Sequence, residues 1–333
     1  MKIKEKIKKL LGEVSPDKYF IYRKGDVTGL GNKLRGIHVS FLTALLTKRK
    51  FICNYHYLNN YFNAPDGLNW DSSQLPNKKL SERIIAPLQS EQELHEMCTL
   101  NLDDYLKEDI IVHHQGNTWV SDFLNNPHYT EKLNWLFDGD LSMRNVIGSL
   151  MEYLLSSPKD GFMETINLHK NNMGLDFSIP TVGFQYRTFY VDDPSYSWPE
   201  TRMLRDMLPE AIDKFIEKVK EWYPDNNVQI FLTTDDMGHT YKIKESLSPH
   251  FKVIHNTNSV IHTQYETPTI NPSMVDWFLL GYSDSVFSTF TSYSLLACAR
   301  LNHPQKHLYK YSPPLFKGAI NYHGELTNEH YAL

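Results

Sequence analysis

Three short stretches carry residue types suited to holding an anion and polarising a leaving group. In "VGFQYRTF", Arg187 follows a buried-looking run, where a strand side chain would emerge from a sheet, and Gln185 shares its side because strand residues alternate. An arginine fork binds phosphate oxygens two at a time; a surface salt bridge is the plainer alternative. In "SDSVFSTFTSYS", Ser288 and Thr289 stand at a strand-to-helix junction, where hydroxyls and backbone N–H groups converge and the helix dipole favours a phosphate. Plain N-capping competes with that reading. In "FLTTDD", Asp235 and Asp236 leave a strand, where carboxylates hydrogen-bond a ribose or a base edge, or cap the next helix. A nucleotide would unify all three stretches.

A fourth stretch, "GDVTGLGNKLRG" from Gly25 to Gly36, places glycines and basic residues in one turn after the apolar-rich Tyr19–Tyr22. Gly29 and Gly31 permit a tight strand-to-helix turn, and N–H groups opening the helix can receive an anion or a polarised hydroxyl. Asn32 points out of the helix N-terminus, and Lys33 and Arg35 add positive charge. The pattern is neither the dinucleotide fingerprint nor a Walker loop, and a structural turn with a helix cap remains the alternative. His38, one turn beyond Arg35, is the candidate base; an isolated histidine on an apolar face is otherwise a core residue.

The elements that must position these residues alternate regularly from about residue 178. "IPTVGFQYR", Ile179 to Arg187, reads as a strand, and the apolar positions Ile212, Phe215, Ile216, Val219 and Trp222 fall at helical spacing before Pro224 and Asp225. "NVQIFLTTDD", "FKVIHN", "DSVFST" and "HLYKYSP" read as further strands separated by helices. That alternation predicts an α/β fold with a parallel, doubly wound sheet and ligands at the strands' carboxyl ends. "KYFIYRKG", the glycine loop, a helix and "KFICNY" repeat the pattern near the N-terminus. Two facing α/β halves with a cleft between them follow, the cleft being the default site.

In this order and spacing, "GLGNKLRG", "VGFQYR", "FLTTDD" and "SDSVFSTFTSY" resemble the GDP-fucose-dependent fucosyltransferases of GT-B fold, "GFQYR" being most similar to the plant xyloglucan fucosyltransferase group. The resemblance implies two Rossmann-like domains: an acceptor-side domain over 1–172, a GDP-sugar-binding domain over 173–315, and a tail over 316–333. It implies inverting transfer of fucose from GDP-fucose to a glycan hydroxyl, with GDP-fucose as a substrate and no metal or other cofactor. Arg187 then holds the β-phosphate and stabilises the leaving group, while Ser288, Thr289 and Phe290 close on the phosphates. Asn32, with Gly29 and Gly31, faces the donor sugar, and Asp235 or Asp236 meets the nucleotide. Gln185 departs from the histidine that several members carry, which removes a proton relay there.

Composition sets the outer bounds. Hydrophobic residues make up 41% of the 333 and charged ones 22%, ordinary for a globular chain with room for two domains. A net charge of −5 gives no reason to expect a nucleic-acid partner. Cys53, Cys98 and Cys298 are odd in number and form no paired motif, which points to free thiols in a reducing compartment and a cytoplasmic location. No long apolar run or signal-like leader occurs. Ile3, Ile7, Leu10 and Leu11 share a helical face among lysines; the stripe packs on the protein or makes weak contact with an anionic membrane surface. Asp138-Gly139-Asp140 offers a DxD of the metal-dependent GT-A kind, and His113–His114 lack a partner at metal-ligand spacing. A transferase using another nucleotide sugar, or a glycan-binding protein without turnover, are the competing functions.

Overall fold

The computed structural model describes residues 2–23, 29–70, 81–85, 96–114, 124–187, 206–256, 270–289, 292–301, 305–311 and 324–325. Phe290, the Gly25–Thr28 part of the glycine-rich stretch, and all but two residues of 316–333 lie outside the described set. The chain divides into two compact units, one built on Met1–Phe162 and the other on Met163–Cys298 with His303–Thr327.

The first unit centres on a four-stranded parallel sheet in the order β2-β1-β4-β3, with β1 Tyr19–Arg23, β2 Lys50–Asn54, β3 Glu82–Ile85 and β4 Ile110–His114. β1 reads "YFIYR" and is buried at every residue except Arg23, as expected of a parallel strand covered on both faces. It feeds α2, Leu30–Leu46, in which every residue but Asn32 and Arg35 is buried. Polar groups on so buried a helix need partners inside: Thr43 Oγ1 donates to the Val39 carbonyl at 2.8 Å and Ser40 Oγ meets His113 Nδ1 at 2.6 Å. Gly36 is fixed by packing, since a Cβ there would lie 2.5 Å from the Tyr22 ring.

Helix α1, Ile3–Gly12, buries Ile7 and Leu10, worth about 1.5–3 kcal/mol each. Its lysines turn to the protein: Lys4 pairs with Glu152 at 3.0 Å, Lys8 with Asp66 at 3.5 Å, and Lys6 reaches Asp138 and, at 2.7 Å, the Trp135 carbonyl. The apolar stripe is therefore used in packing. Helices α3 Thr130–Leu136 and α4 Met143–Leu154 complete the unit, and α5 Asp160–Met173 runs through the division at Phe162. No helix among the described residues is long and apolar enough to cross a membrane.

The second unit holds a six-stranded sheet in the order β10-β9-β8-β5-β6-β7. Its strands are β5 Thr181–Tyr186, β6 Gln229–Thr234, β7 Lys252–His255, β8 Ser285–Thr289, β9 His307–Tyr311 and β10 Gly324–Glu325. All run parallel except β10, which is antiparallel to β9. Strand order grows outward in both directions from β5, so the topology reverses between β5 and β8. That is the doubly wound arrangement, and its switch point opens at the carboxyl ends of those two strands.

Alternation assigns the two faces. Val182, Phe184 and Tyr186 of β5 pack on α6 Leu208–Trp222 and α7 Met237–Leu247, through Ile212, Phe215, Val219, Ile243 and Leu247; the Phe184 and Phe215 rings stack at 4.2 Å. On the other face, Gly183 leaves room for α8, Pro272–Leu280, because a Cβ would meet Leu280 Cδ1 at 2.5 Å. Tyr293 of α9, Ser292–Ala299, donates from its hydroxyl to the Ser273 carbonyl of α8 at 2.6 Å, which sets α9 beside α8. The expected α/β architecture of two parallel-sheet units is what the chain adopts.

Candidate functional site

Arg187 and Thr289 meet at the switch point. Gln185 of β5 is in register with Ser288 of β8, so the residues that follow each strand emerge side by side. The Arg187 backbone N–H donates to Thr289 Oγ1 at 2.9 Å, which ties the two strand ends together. Thr289 and Ser288 are buried, whereas the Arg187 side chain keeps 27% of its surface exposed. Burial pushes the Arg187 guanidinium below its ordinary value, opposed by the Asp235 carboxylate. The Arg187 Nε–Asp235 Oδ2 separation is 3.8 Å, a long ion pair that orients the fork without closing on it in a bidentate grip.

Asp236, its neighbour in sequence, does a different job. Its carboxylate caps α7, accepting from the Gly238 N–H at 2.7 Å and the His239 N–H at 3.4 Å. Such a cap is worth roughly 1 kcal/mol. The pair of acids at this strand end thus splits into one facing Arg187 and one serving the helix.

One layer below the carboxyl edge, a polar row crosses the sheet on the α8–α9 face. Lys310, Ser288, Gln185 and Thr233 are successive register partners on β9, β8, β5 and β6, all at least nine-tenths buried. At the β6–β7 end the row opens into a small pocket lined by Thr233, Thr234, His255, Asn256, Ser273 and Asp276. Burial pushes the Asp276 carboxyl up to about 7, against a hydrogen bond from Asn256 Nδ2 to Asp276 Oδ1 at 3.1 Å. His255 is held on both sides of its ring: Nδ1 faces the Asn256 carbonyl at 3.0 Å, and Nε2 faces Lys244 Nζ at 3.3 Å. Thr233 Oγ1 is buried with no hydrogen-bond partner among the described residues, a deficit that a ligand in the pocket would relieve.

The first unit shows a different balance. Gly29 is the N-cap of α2 at φ −68°, ψ 166°, backbone that any residue adopts. Gly31 lies buried inside the helix, and the positive-φ glycines among the described residues are Gly67, Gly139 and Gly174. The stretch therefore needs glycine for closeness, at Gly36 against Tyr22, rather than for a left-handed turn at Gly29 or Gly31. Asn32 and Arg35 are the residues of α2 that reach beyond the core. Lys33 is buried with Nζ 5.1 Å from the Tyr55 ring centroid, a cation–π contact.

His38 is enclosed. Its Nε2 abuts Met151 Sδ, it is 1% exposed, and burial with the nearby Arg35 charge pushes its imidazole down to about 3. That is the environment of a neutral core histidine, so the described structure gives His38 no route to a substrate hydroxyl. His113 is likewise buried and pushed down to about 4. Asp138 and Gly139 both have positive φ, Asp138 is engaged by Lys6, and Asp140 Oδ1 accepts from the Ser142 N–H at 3.0 Å ahead of α4. The DxD is thus a turn and a helix start.

Sequence reasoning missed Lys310, Thr233, Asn256 and Asp276. Two had a local signal: a lysine inside the apolar strand "HLYKY" and an acid inside the apolar helix "SMVDWFLL".

No family model matches the sequence, and no curated relative matches it. Solved structures do resemble it. A mutant of FUT1 from Arabidopsis thaliana in complex with GDP superposes with a TM-score of 0.64 at 15% identity, covering 93% of this chain and 75% of that one. Fucosyltransferase NodZ from Bradyrhizobium superposes with a TM-score of 0.53 at 14% identity, covering 89% and 96%. The fold is therefore of the GT-B class found in these proteins.

Proposed function

We propose that the chain is an inverting glycosyltransferase that transfers fucose from GDP-fucose to a hydroxyl of a glycan acceptor without a divalent cation. One observation carries the reading: at the switch point of a doubly wound sheet, Arg187 is joined to Thr289 and its side chain keeps part of its surface exposed beside the strand ends. A diphosphate is the ligand such a site fits, because an arginine fork and hydroxyl-bearing strand ends complement phosphate oxygens. Two further features support the nucleotide. The likeness to FUT1 with GDP bound is one. The other is the β6–β7 pocket, where the Asp276 carboxylate suits guanine, which presents adjacent N1–H and N2–H donors on one edge.

Chemistry then divides among the residues as follows. The acceptor oxygen attacks the anomeric carbon from the face opposite the diphosphate, the bond from that carbon to the β-phosphate oxygen breaks, and its electron pair leaves on GDP. The hydroxyl proton passes to solvent, since His38 is enclosed. Negative charge grows on the β-phosphate as the bond breaks, and a preorganised Arg187 acts where it grows. Ser288 and Thr289 hold the strand end that faces the phosphates, with Phe290 next in sequence. Asp235 keeps Arg187 oriented while Gln185 fills the layer beneath. On the first unit, Asn32, which reaches beyond the core of α2, is the residue assigned to the transferred sugar, with Gly29 as the N-cap and Gly31 inside the first turn.

A donor screen tests this reading. GDP-fucose, GDP-mannose and UDP-sugars are incubated with the protein and release of free nucleotide is followed, with and without EDTA. Turnover of GDP-fucose that survives EDTA is the expected result. Turnover confined to UDP-sugars, or abolished by EDTA, would overturn it.

A further inference from the structure

The strand that follows the phosphate-facing strand end carries a buried lysine in the same layer. Lys310 of β9 is the register partner of Ser288 of β8 and is 2% exposed. Parallel register partners sit side by side on one face of the sheet, so the Lys310 stem lies against Ser288. That face is covered by α8 and α9. The β8–α9–β9 connection runs antiparallel to the strands, which brings the first turn of α9 over their carboxyl ends, where Lys310 sits. A positive helix terminus and a lysine therefore converge beside the end of β8.

The geometry points to Lys310 as a second cationic ligand of the diphosphate, acting with Arg187 from the opposite side of the β8 strand end. This rests on the nucleotide-sugar reading above and extends it by one residue. A departing diphosphate accumulates more than one negative charge, and a single guanidinium leaves part of it unbalanced. Two cations flanking β8, with the α9 N-terminus between them, complement that charge without a metal.

The lysine is also suited to respond to its ligand. Burial pushes the Lys310 ammonium down to about 7. The titratable groups on the helices covering this face are Asp276 of α8 and Tyr293 and Cys298 of α9, and burial is the cause of the shift at Lys310. An anion arriving beside it favours the charged form. Diphosphate binding near neutral pH therefore carries a proton into the protein.

Calorimetric titration of the full chain with GDP, and with guanosine by competition against GDP, tests this at pH 7. Lys310→Met and Lys310→Gln are compared with wild type, each checked for an unchanged unfolding transition; the glutamine keeps polarity if the methionine misfolds. The expected result is a ten- to hundredfold weaker GDP affinity in either variant, the worth of one charged hydrogen bond, with guanosine affinity within twofold of wild type. Wild type also takes up protons on binding GDP, measured across buffers of differing ionisation heat, and the variants do not. GDP affinity within threefold of wild type, or an equal loss for guanosine, overturns the inference while leaving the nucleotide reading in place. A wild-type chain that binds no GDP overturns both.

Discussion

Replacing Arg187 by alanine removes the guanidinium and little else, because the hydrogen bond to Thr289 is made by the Arg187 backbone N–H and survives the change. The side chain is 27% exposed and sits 3.8 Å from an Asp235 carboxylate that is itself 14% exposed. A unit charge about 4 Å from a phosphate oxygen is worth roughly 4 kcal/mol at an effective dielectric of about 20. Partial exposure and the share already present in the ground state reduce this to about 3 kcal/mol in the transition state. That magnitude matches the loss of one preorganised donor, on the order of 10²–10³ in kcat. Asp235 would face the diphosphate uncompensated in the variant, so an added Asp235→Asn change should recover part of the loss. Steady-state release of GDP from GDP-fucose reads kcat and KM, and calorimetry reads GDP affinity. A folded Arg187→Ala protein with kcat within threefold of wild type would refute the reasoning.

Three other outcomes follow from the same contacts. Asp276 has a carboxyl raised by burial to about 7; as the carboxylate is the form that accepts guanine donors, GDP affinity should fall about tenfold per pH unit below 7, and Asp276→Asn should bind more weakly with no such slope in a titration series. Folding raises this carboxyl, so the native state holds the extra proton and stability declines as pH climbs from about 4 through 7; thermal melts of Asp276→Asn should lose that component of the decline. Gly36→Ala would drive a methyl into the Tyr22 ring at 2.5 Å, and should cost about 1–3 kcal/mol of stability in denaturant unfolding.

The second unit was largely legible from sequence because its central parallel strands are buried on both faces and therefore rich in apolar residues, as in "NVQIFLTTDD", and helical segments separate the parallel strands. Sheet order was not, since the partnership of Gln185 with Ser288 depends on chain segments about a hundred residues apart. The same distance hid the polar row: Lys310 and Thr233 acquire meaning only once β9, β8, β5 and β6 are placed side by side. The glycine-rich stretch was read for turn geometry, whereas its α2 glycine with a steric reason is Gly36, and that reason is a ring on another element. His38, on the apolar side of α2 one turn beyond Arg35, was the candidate base, yet burial extends around nearly the whole circumference of the helix and encloses it. Of the two acids after β6, no sequence rule could tell which caps the helix and which faces Arg187; the backbone direction at the strand end decides it.

The central claim is that the switch point between β5 and β8 holds the diphosphate of a guanosine nucleotide. A structure of the chain determined with GDP tests it directly. The β-phosphate is predicted within hydrogen-bond reach of the Arg187 guanidinium at the β8 strand end, with the base in the pocket beside Asp276. GDP bound elsewhere on the chain, or the same site empty at saturating GDP, would contradict it.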